Sequence, residues 1–335
     1  MTSTMRALVG GIGPNWDVLE VDVPTPGEGQ ILIRVHAAGL NRADLMMLDG
    51  SYSPASKTSS LYSAGLEMAG EVAAVGEGVT TLAVGDRIAG AGLGAFAEYV
   101  VLDAGHVLPM PASLDWIESA ALPIGLATEY DALVTQGGLT AGQRVLVVGA
   151  TSSVGLLAVQ LAKSLGASLV AATTTSESKG ATLSRAGADV VINTKVQQLA
   201  ESVAAATLGE GADVVLDHVG GALFPEVLAA TRINGTVVNI GRLGGQDATI
   251  NLDVLAFRRL TVRGTTFSVR SPDEIAQVTA QVRTQVLPLL ASGHIRPIID
   301  RVFAFEDALA AADHMRSNQA VGKIILRIDD SSQRK

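Results

Sequence analysis

Residues 145–155 read VLVVGATSSVG, a run of four apolar residues followed by a glycine, a small hydroxyl-rich loop and a second glycine. The apolar run suits a strand buried on both faces. Gly149 permits a tight turn, and a helix is expected from Val154 to Leu165. A helix start presents unpaired backbone N–H groups and a partial positive charge, which together suit a pyrophosphate. Gly155 allows the helix to pack closely on the strand, and Ala158 and Ala162 lie four apart on one face. The middle glycine of the G-x-G-x-x-G pattern is missing. Thr151, Ser152 and Ser153 occupy the loop, and their hydroxyls can donate to phosphate oxygens. The residues expected around a dinucleotide are therefore Gly149, Thr151, Ser152, Ser153, Val154 and Gly155; the bland alternative is a strand–helix turn with no ligand.

Working outward, apolar strands are expected at 144–148, 168–172, 189–192, 213–216, 236–240 and 260–263, with helical patterns at 154–165, 176–186 and 223–231 between them. This alternation predicts right-handed βαβ units and a doubly wound parallel sheet, an α/β class. The first 120 residues differ in texture. Short apolar runs at 31–35, 71–75, 87–89 and 95–101 are punctuated by glycine turns, which predicts a β-rich, barrel-like unit. Downstream, 272–292 reads as one helix, 306–315 as a short helix, and 297–303 and 323–328 as strands.

The chain has 335 residues, enough for two domains of about 150 residues each. With 48% hydrophobic and 17% charged residues it can bury large cores. It contains no cysteine, which excludes disulfides, thiolate metal sites and a cysteine nucleophile. Its net charge of −9 disfavours nucleic acid and anionic membranes as partners. The opening residues carry no apolar signal region, and no run of 18 apolar residues is present, so a soluble, cytoplasmic protein is expected. The five histidines, 36, 106, 218, 294 and 314, are scattered without ligand spacing, and no metal is expected.

The cofactor is read from the end of the second strand. NAD-binding units place a carboxylate there for the ribose 2′-hydroxyl. Residues 169–179 read LVAATTTSESK, uncharged at the strand end, then rich in hydroxyls, then Lys179. Hydroxyls and an ammonium favour a 2′-phosphate, so NADPH is expected, with Ser176 and Lys179 at that phosphate and Thr173, at the strand end, also among the cofactor-binding residues. An exposed polar loop is the alternative.

The stretches PGEGQILIRV (26–35), AGLNRADL (38–45), GSY (50–52), GLEMAGEV (65–72), VGDR (84–87), AFAEYV (95–100), TEYDAL (128–133) and GKIIL (322–326) occur in this order. Through them the chain resembles the medium-chain dehydrogenase/reductase superfamily, in its zinc-free quinone oxidoreductase branch. The resemblance implies a discontinuous GroES-like catalytic domain, 1–123 and 266–335, and an inserted Rossmann domain, 124–265. It further implies catalysis in a cleft between them and, commonly, a homodimer. The alcohol dehydrogenase branch holds zinc through a cysteine where this chain has Asn41 and a histidine where it has Leu66. Without a Lewis acid an alkoxide is not stabilised, so a small electrophile that accepts hydride readily is the better substrate.

By the same resemblance, Asn41 and Tyr52 face the substrate, where each can donate a hydrogen bond to an oxygen gaining charge. A backbone-satisfying turn role for Asn41 and a half-buried aromatic role for Tyr52 stand beside these. Thr128 matches a position near the nicotinamide, or else caps a helix. Glu67 is expected to pair with a buried arginine. His218, in DHVGG (217–221), reaches the cofactor ribose or substrate, or is structural. Ile240, Gly241 and Arg242 follow the fifth strand, where the glycine lets backbone approach a cofactor. Thr266, Phe267 and Ser268 contact the nicotinamide side, and Asn318 lies near the cofactor. Thr194 stands where relatives often carry a tyrosine bordering the adenosine phosphate. Arg258, Arg259, Arg263 and Arg270 read as a solvated or dimer-rim run. The expected reaction is NADPH-dependent quinone reduction. Its rival is reduction of an enone or enoyl substrate such as a 2-alkenal; a third reading is an NADPH-binding structural or RNA-binding protein. The pocket lining is expected from a loop at 53–62.

Overall fold

The computed structural model describes residues 3–11, 13–52 and 61–328, so most of the loop expected to line the pocket, residues 53–60, lies outside the described residues. The chain divides into two compact units, one of Met1–Ile124, Pro272–Leu287 and Pro297–Lys335, the other of Gly125–Ser271 and Pro288–Arg296. In chain order the strands are β1 (Thr4–Gly10), β2 (Asp17–Asp22), β3 (Gln30–Leu40), β4 (Tyr62–Ser63), β5 (Glu67–Val75), β6 (Arg87–Ala91), β7 (Tyr99–Asp103), β8 (Val107–Pro109), β9 (Arg144–Val148), β10 (Leu169–Thr174), β11 (Val190–Asn193), β12 (Ala212–Asp217), β13 (Thr231–Asn239), β14 (Thr261–Gly264), β15 (Ile299–Ala304) and β16 (Lys323–Arg327).

The first unit is β-rich. One sheet runs β15-β16-β3-β5-β6-β8 with β7 also paired to β3, and a smaller one runs β2-β1-β4. β3 organises the larger sheet. Ile31, Ile33 and Val35 are buried while Leu32 and Arg34 are half-buried, the period of two that a strand with one covered face requires. From Ala37 onward every residue of β3 is buried, where it pairs antiparallel with both β5 and β16. Ile31, Ile33, Met68, Ile88, Phe96, Phe305, Ile324 and Leu326 share one core, so the last strands complete a core that the first strands begin.

The second unit is a six-stranded, wholly parallel sheet in the order β11-β10-β9-β12-β13-β14. The order reverses between β9 and β12, and in such sheets ligands bind beyond the carboxyl ends of the strands at that reversal. Residues 145–148 are wholly buried, and Leu146, Val148, Ile192, Val215 and Val237 form the core with the apolar faces of the flanking helices. The sheet and the helices Ser153–Ser164, Glu177–Arg185 and Phe224–Ala230 lie where the periodicity places them.

The single helix expected at 272–292 is instead two, Pro272–Gln285 and Leu287–Ala291. Pro288 has no N–H for the Thr284 carbonyl and its ring crowds that carbonyl, so the ladder breaks and Pro288 falls in the first turn of the second helix, where its missing N–H is not needed. Among the described residues no helix is long and apolar enough to cross a membrane.

Candidate functional site

Beyond β9 the chain turns through Gly149, whose φ of +80° lies in the region only glycine enters freely. Its N–H donates to the Thr173 hydroxyl at the end of β10 (2.9 Å), so Thr173 fixes the start of the turn. Ser152 caps the helix Ser153–Ser164. Its Oγ accepts from the Gly155 N–H and donates to the Gly149 carbonyl, both at 3.1 Å. A Cβ on Gly155 would lie 2.7 Å from Ala150 Cα and 2.8 Å from the Gly149 carbonyl oxygen, so only glycine lets the helix start against the turn. Gly149, Thr151, Ser152, Ser153, Val154 and Gly155 are thus brought together in one strand–turn–helix unit at the reversal of the sheet.

The hydroxyl run after β10 is structured. Thr174 Oγ1 accepts from the Ser176 N–H (3.0 Å), and the Ser176 and Ser178 hydroxyls are 2.9 Å apart. Half-buried Ser176 precedes the helix Glu177–Arg185, and half-buried Lys179 lies in its first turn. The Thr194 hydroxyl donates back to the Thr174 carbonyl (3.3 Å), tying the ends of β10 and β11.

At the end of β12 the structure departs from expectation. The ring of buried His218 contacts the Val148 carbonyl through Nδ1 and Glu129 Oε1 through Nε2, both at 2.9 Å, so neither nitrogen remains for a ribose or substrate. Burial opposes the charged imidazolium, but Glu129 outweighs it and the His218 pKa is raised. Asp217 accepts from the Val219 and Gly220 N–H groups (2.9 Å each) and from Asn239 (3.0 Å), which shapes the glycine loop. Ile240 and Gly241 both donate their N–H to the Asp217 carbonyl, and exposed Arg242 follows. Thr128 sits inside the helix Pro123–Tyr130 rather than at its cap.

The loop carrying Thr266, Phe267 and Ser268 is anchored by a residue first read as solvated. Arg270 reaches the fully buried Asp131 carboxylate (2.5 Å) and stacks on the Phe267 ring (4.4 Å), while Thr265 donates to the same carboxylate (2.8 Å). A buried carboxylate requires such partners, and Arg270 supplies the charge.

In the first unit, Asn41, Asp44, Glu67 and Lys323 form a buried cluster. Lys323 Nζ donates to Asn41 Oδ1 (2.6 Å) and pairs with Glu67. An ammonium only donates, so the amide oxygen of Asn41 must face it. The amide nitrogen then points to Glu67 Oε1 (2.9 Å) and the Gly39 carbonyl (3.2 Å). Both Asn41 donors are spent, which corrects its expected role as a donor to substrate. The partner of Glu67 is a lysine and not an arginine. Glu67 Oε2 accepts from the Ile124 N–H (2.8 Å), and Asp44 Oδ2 accepts from the Asn41 N–H (2.8 Å). Burial pushes Asp44 up to about 7. Half-buried Tyr52 follows the turn after the helix Arg42–Leu48, its N–H donating to the Met46 carbonyl (3.1 Å). Asn318, with φ +56°, accepts from Arg42 (2.6 Å).

Four residues central to this picture, Glu129, Asp131, Asp44 and Lys323, were not singled out from the sequence. Glu129 and Asp131 carried a legible signal, as lone acids in the apolar segment from Pro123 to Leu133.

The sequence is 30% identical over 310 residues to a quinone oxidoreductase of Lama guanicoe, covering 92% of this chain and 91% of that one. The chain belongs to the medium-chain dehydrogenase/reductase family. Residues 27–112 match the alcohol dehydrogenase GroES-like domain, and residues 153–284 match the zinc-binding dehydrogenase family. A polyketide synthase, GfsB of Streptomyces halstedii, is 41% identical over 162 residues, covering 48% of this chain; the chain spans only 3% of that relative's length. A mycobacterial protein solved in complex with NADPH superposes with a TM-score of 0.86 at 27% identity, covering 96% of this chain and 100% of that one. The chain is a medium-chain oxidoreductase of the quinone oxidoreductase type. The zinc that one family description names does not fit here. Leu66 offers no donor, the Asn41 amide is spent, and Glu67 already faces the Lys323 ammonium.

Proposed function

We propose that this oxidoreductase reduces quinone-like electrophiles with NADPH and without a metal. The observation that carries the reading is the turn from Gly149 to Gly155, set at the reversal of the parallel sheet with the N–H groups of a twelve-residue helix opening behind it. That turn suits the diphosphate of a dinucleotide. The hydroxyl run and Lys179 at the start of the next helix, with no carboxylate at the strand end, favour a 2′-phosphate. When bound, the cofactor supplies the hydride. By resemblance, Thr266, Phe267 and Ser268, in the loop anchored through Arg270, would border the nicotinamide side, and Ile240 and Gly241, held by Asp217, would let backbone approach the cofactor. By the same resemblance, the Tyr52 phenol donates to the oxygen that gains charge, and the Thr128 hydroxyl lies by the nicotinamide.

A homodimer accompanies this reading. β14 is an edge strand with all four residues exposed, and Leu252, Phe257 and Val262 expose apolar surface on the same stretch of chain. An open edge of this kind presents unpaired N–H and C=O groups that can pair with a second chain.

Titration of the purified protein with NADPH and NADH, followed by kcat/KM over a quinone panel and an enone panel, tests the proposal. Tight NADPH binding with efficient quinone turnover is expected. Negligible quinone turnover beside efficient enone turnover would transfer the site to enone reduction. Lys179→Ala is expected to weaken NADPH at least roughly tenfold while leaving NADH nearly unchanged. Equal effects on the two would remove Lys179 from the phosphate.

A further inference from the structure

The geometry points to His218 and Glu129 as positioning residues for the dinucleotide turn, acting as a strut that holds the turn only while the two share a proton. The inference rests on the cofactor reading above. His218 grips the Val148 carbonyl twice, through its backbone N–H (3.2 Å) and through ring Nδ1 (2.9 Å). Val148 is the residue immediately before Gly149, and a Cβ on Gly149 would lie 3.3 Å from the His218 Cβ. The other side of the ring meets Glu129 Oε1 at 2.9 Å, from the helix Pro123–Tyr130. One imidazole therefore spans the helix, the end of β9 and the end of β12, beside the turn assigned to the diphosphate.

The proton count of this strut is constrained. A carbonyl only accepts, so Nδ1 must carry a hydrogen. The Nε2–Oε1 contact then holds one further proton, whether it sits on the imidazole or on the carboxyl. If that proton leaves, a lone pair faces a carboxylate at hydrogen-bond distance and the contact opens. Among the described residues Glu129 Oε2 has no hydrogen-bond partner, and Glu129 is fully buried, so no second contact there secures the carboxyl when the first is lost. The titratable groups bearing on His218 are Glu129 from the helix and Asp217 from β12; β9 presents the Val148 carbonyl, and the loop after β13 presents the Gly241 backbone. Both acids favour the protonated pair, which places its loss on the alkaline side of the ordinary histidine range. The strut should therefore weaken as pH rises.

Glu129→Gln separates this from a merely structural contact. The glutamine amide donates to neutral Nε2 at every pH, so the bridge persists with no proton to lose. NADPH affinity measured by fluorescence titration from neutral to alkaline pH is expected to weaken roughly tenfold in the wild type and to stay flat in E129Q. His218→Phe, which removes both contacts, should bind roughly tenfold more weakly already at neutral pH, with kcat at saturating NADPH much less affected. His218→Asn keeps a donor for the Val148 carbonyl but cannot reach Glu129, and should give intermediate affinity without the alkaline loss. An alkaline loss in E129Q equal to that of the wild type would overturn the proposal while leaving the cofactor reading intact, as would wild-type NADPH affinity in H218F. A wild-type protein that binds neither nucleotide would overturn both.

Discussion

A methyl group on Gly39 would lie 2.7 Å from the Lys323 Cε, 2.7 Å from the Ala120 carbonyl oxygen and 2.8 Å from Glu67 Oε1. Glycine is therefore what allows an ammonium, a carboxylate and an amide to close on one another at the end of β3. The pair at its centre is nearly water-free, with side-chain exposures of 2% and 0%. Removing one member of such a pair strands the other. Lys323→Met is expected to lose ~3–5 kcal/mol in urea denaturation, and adding Glu67→Gln to recover most of that loss. Asp44 responds to pH with a definite sign. Burial pushes it up from 3.8 to about 7, while the Asn41 N–H and Lys323 pull the other way. The folded state then holds a proton that the unfolded chain releases, so this residue's contribution falls as pH rises from about 4 to about 7 and is constant above. Asp44→Asn has no such proton and still accepts from the Asn41 N–H. Its stability relative to the wild type should grow across that window, by at most about 1.4 kcal/mol per pH unit. Parallel pH profiles from chemical denaturation would contradict the assignment.

Among the elements, the helix Ser153–Ser164 depends on its first turn. Ser152 satisfies the Gly155 N–H and the Gly149 carbonyl at once. Ser152→Ala is expected to cost about 1 kcal/mol in denaturation and to weaken NADPH binding, whereas Ser152→Gly costs less stability. This element was legible in residues 145–155 because strand, turn and helix signals are local there. The parallel strands were legible for the same reason, their apolar runs being bounded by turns and helices. The break at Val286 lay in plain view in Pro288, yet the apolar period running on beyond it suggested one helix. The contacts that redefine Asn41 and His218 could not be read from neighbours in sequence. Lys323 is 282 residues from Asn41, and Glu129 is 89 from His218. Local pattern identifies a residue type at a strand end, but whether its donors are spent depends on which distant side chain arrives there. Arg270 shows the same limit, since a cluster of arginines reads as surface until buried Asp131 is placed beneath one of them.

Across the whole molecule, the second unit is built mainly from one stretch of chain and carries its own core, while the first needs both ends. A fragment of residues 125–296 is expected to fold alone, giving a cooperative urea transition and mixed helix–strand circular dichroism. A fragment of residues 1–124 lacks β15 and β16, and with them one of the partner strands of β3 and the Ile324 and Leu326 side chains of the core. It should show no cooperative transition until residues 297–335 are supplied. A stable 1–124 fragment would mean that β16 is dispensable to that core. The pairing of β16 with β3 also orders events during translation. The nucleotide-binding unit has its strands outside the ribosome well before residue 323 emerges, whereas β3 must wait for its C-terminal neighbour. Until then the nascent chain carries an open sheet edge with buried-type side chains uncovered, an interval in which chaperone occupancy should be greatest.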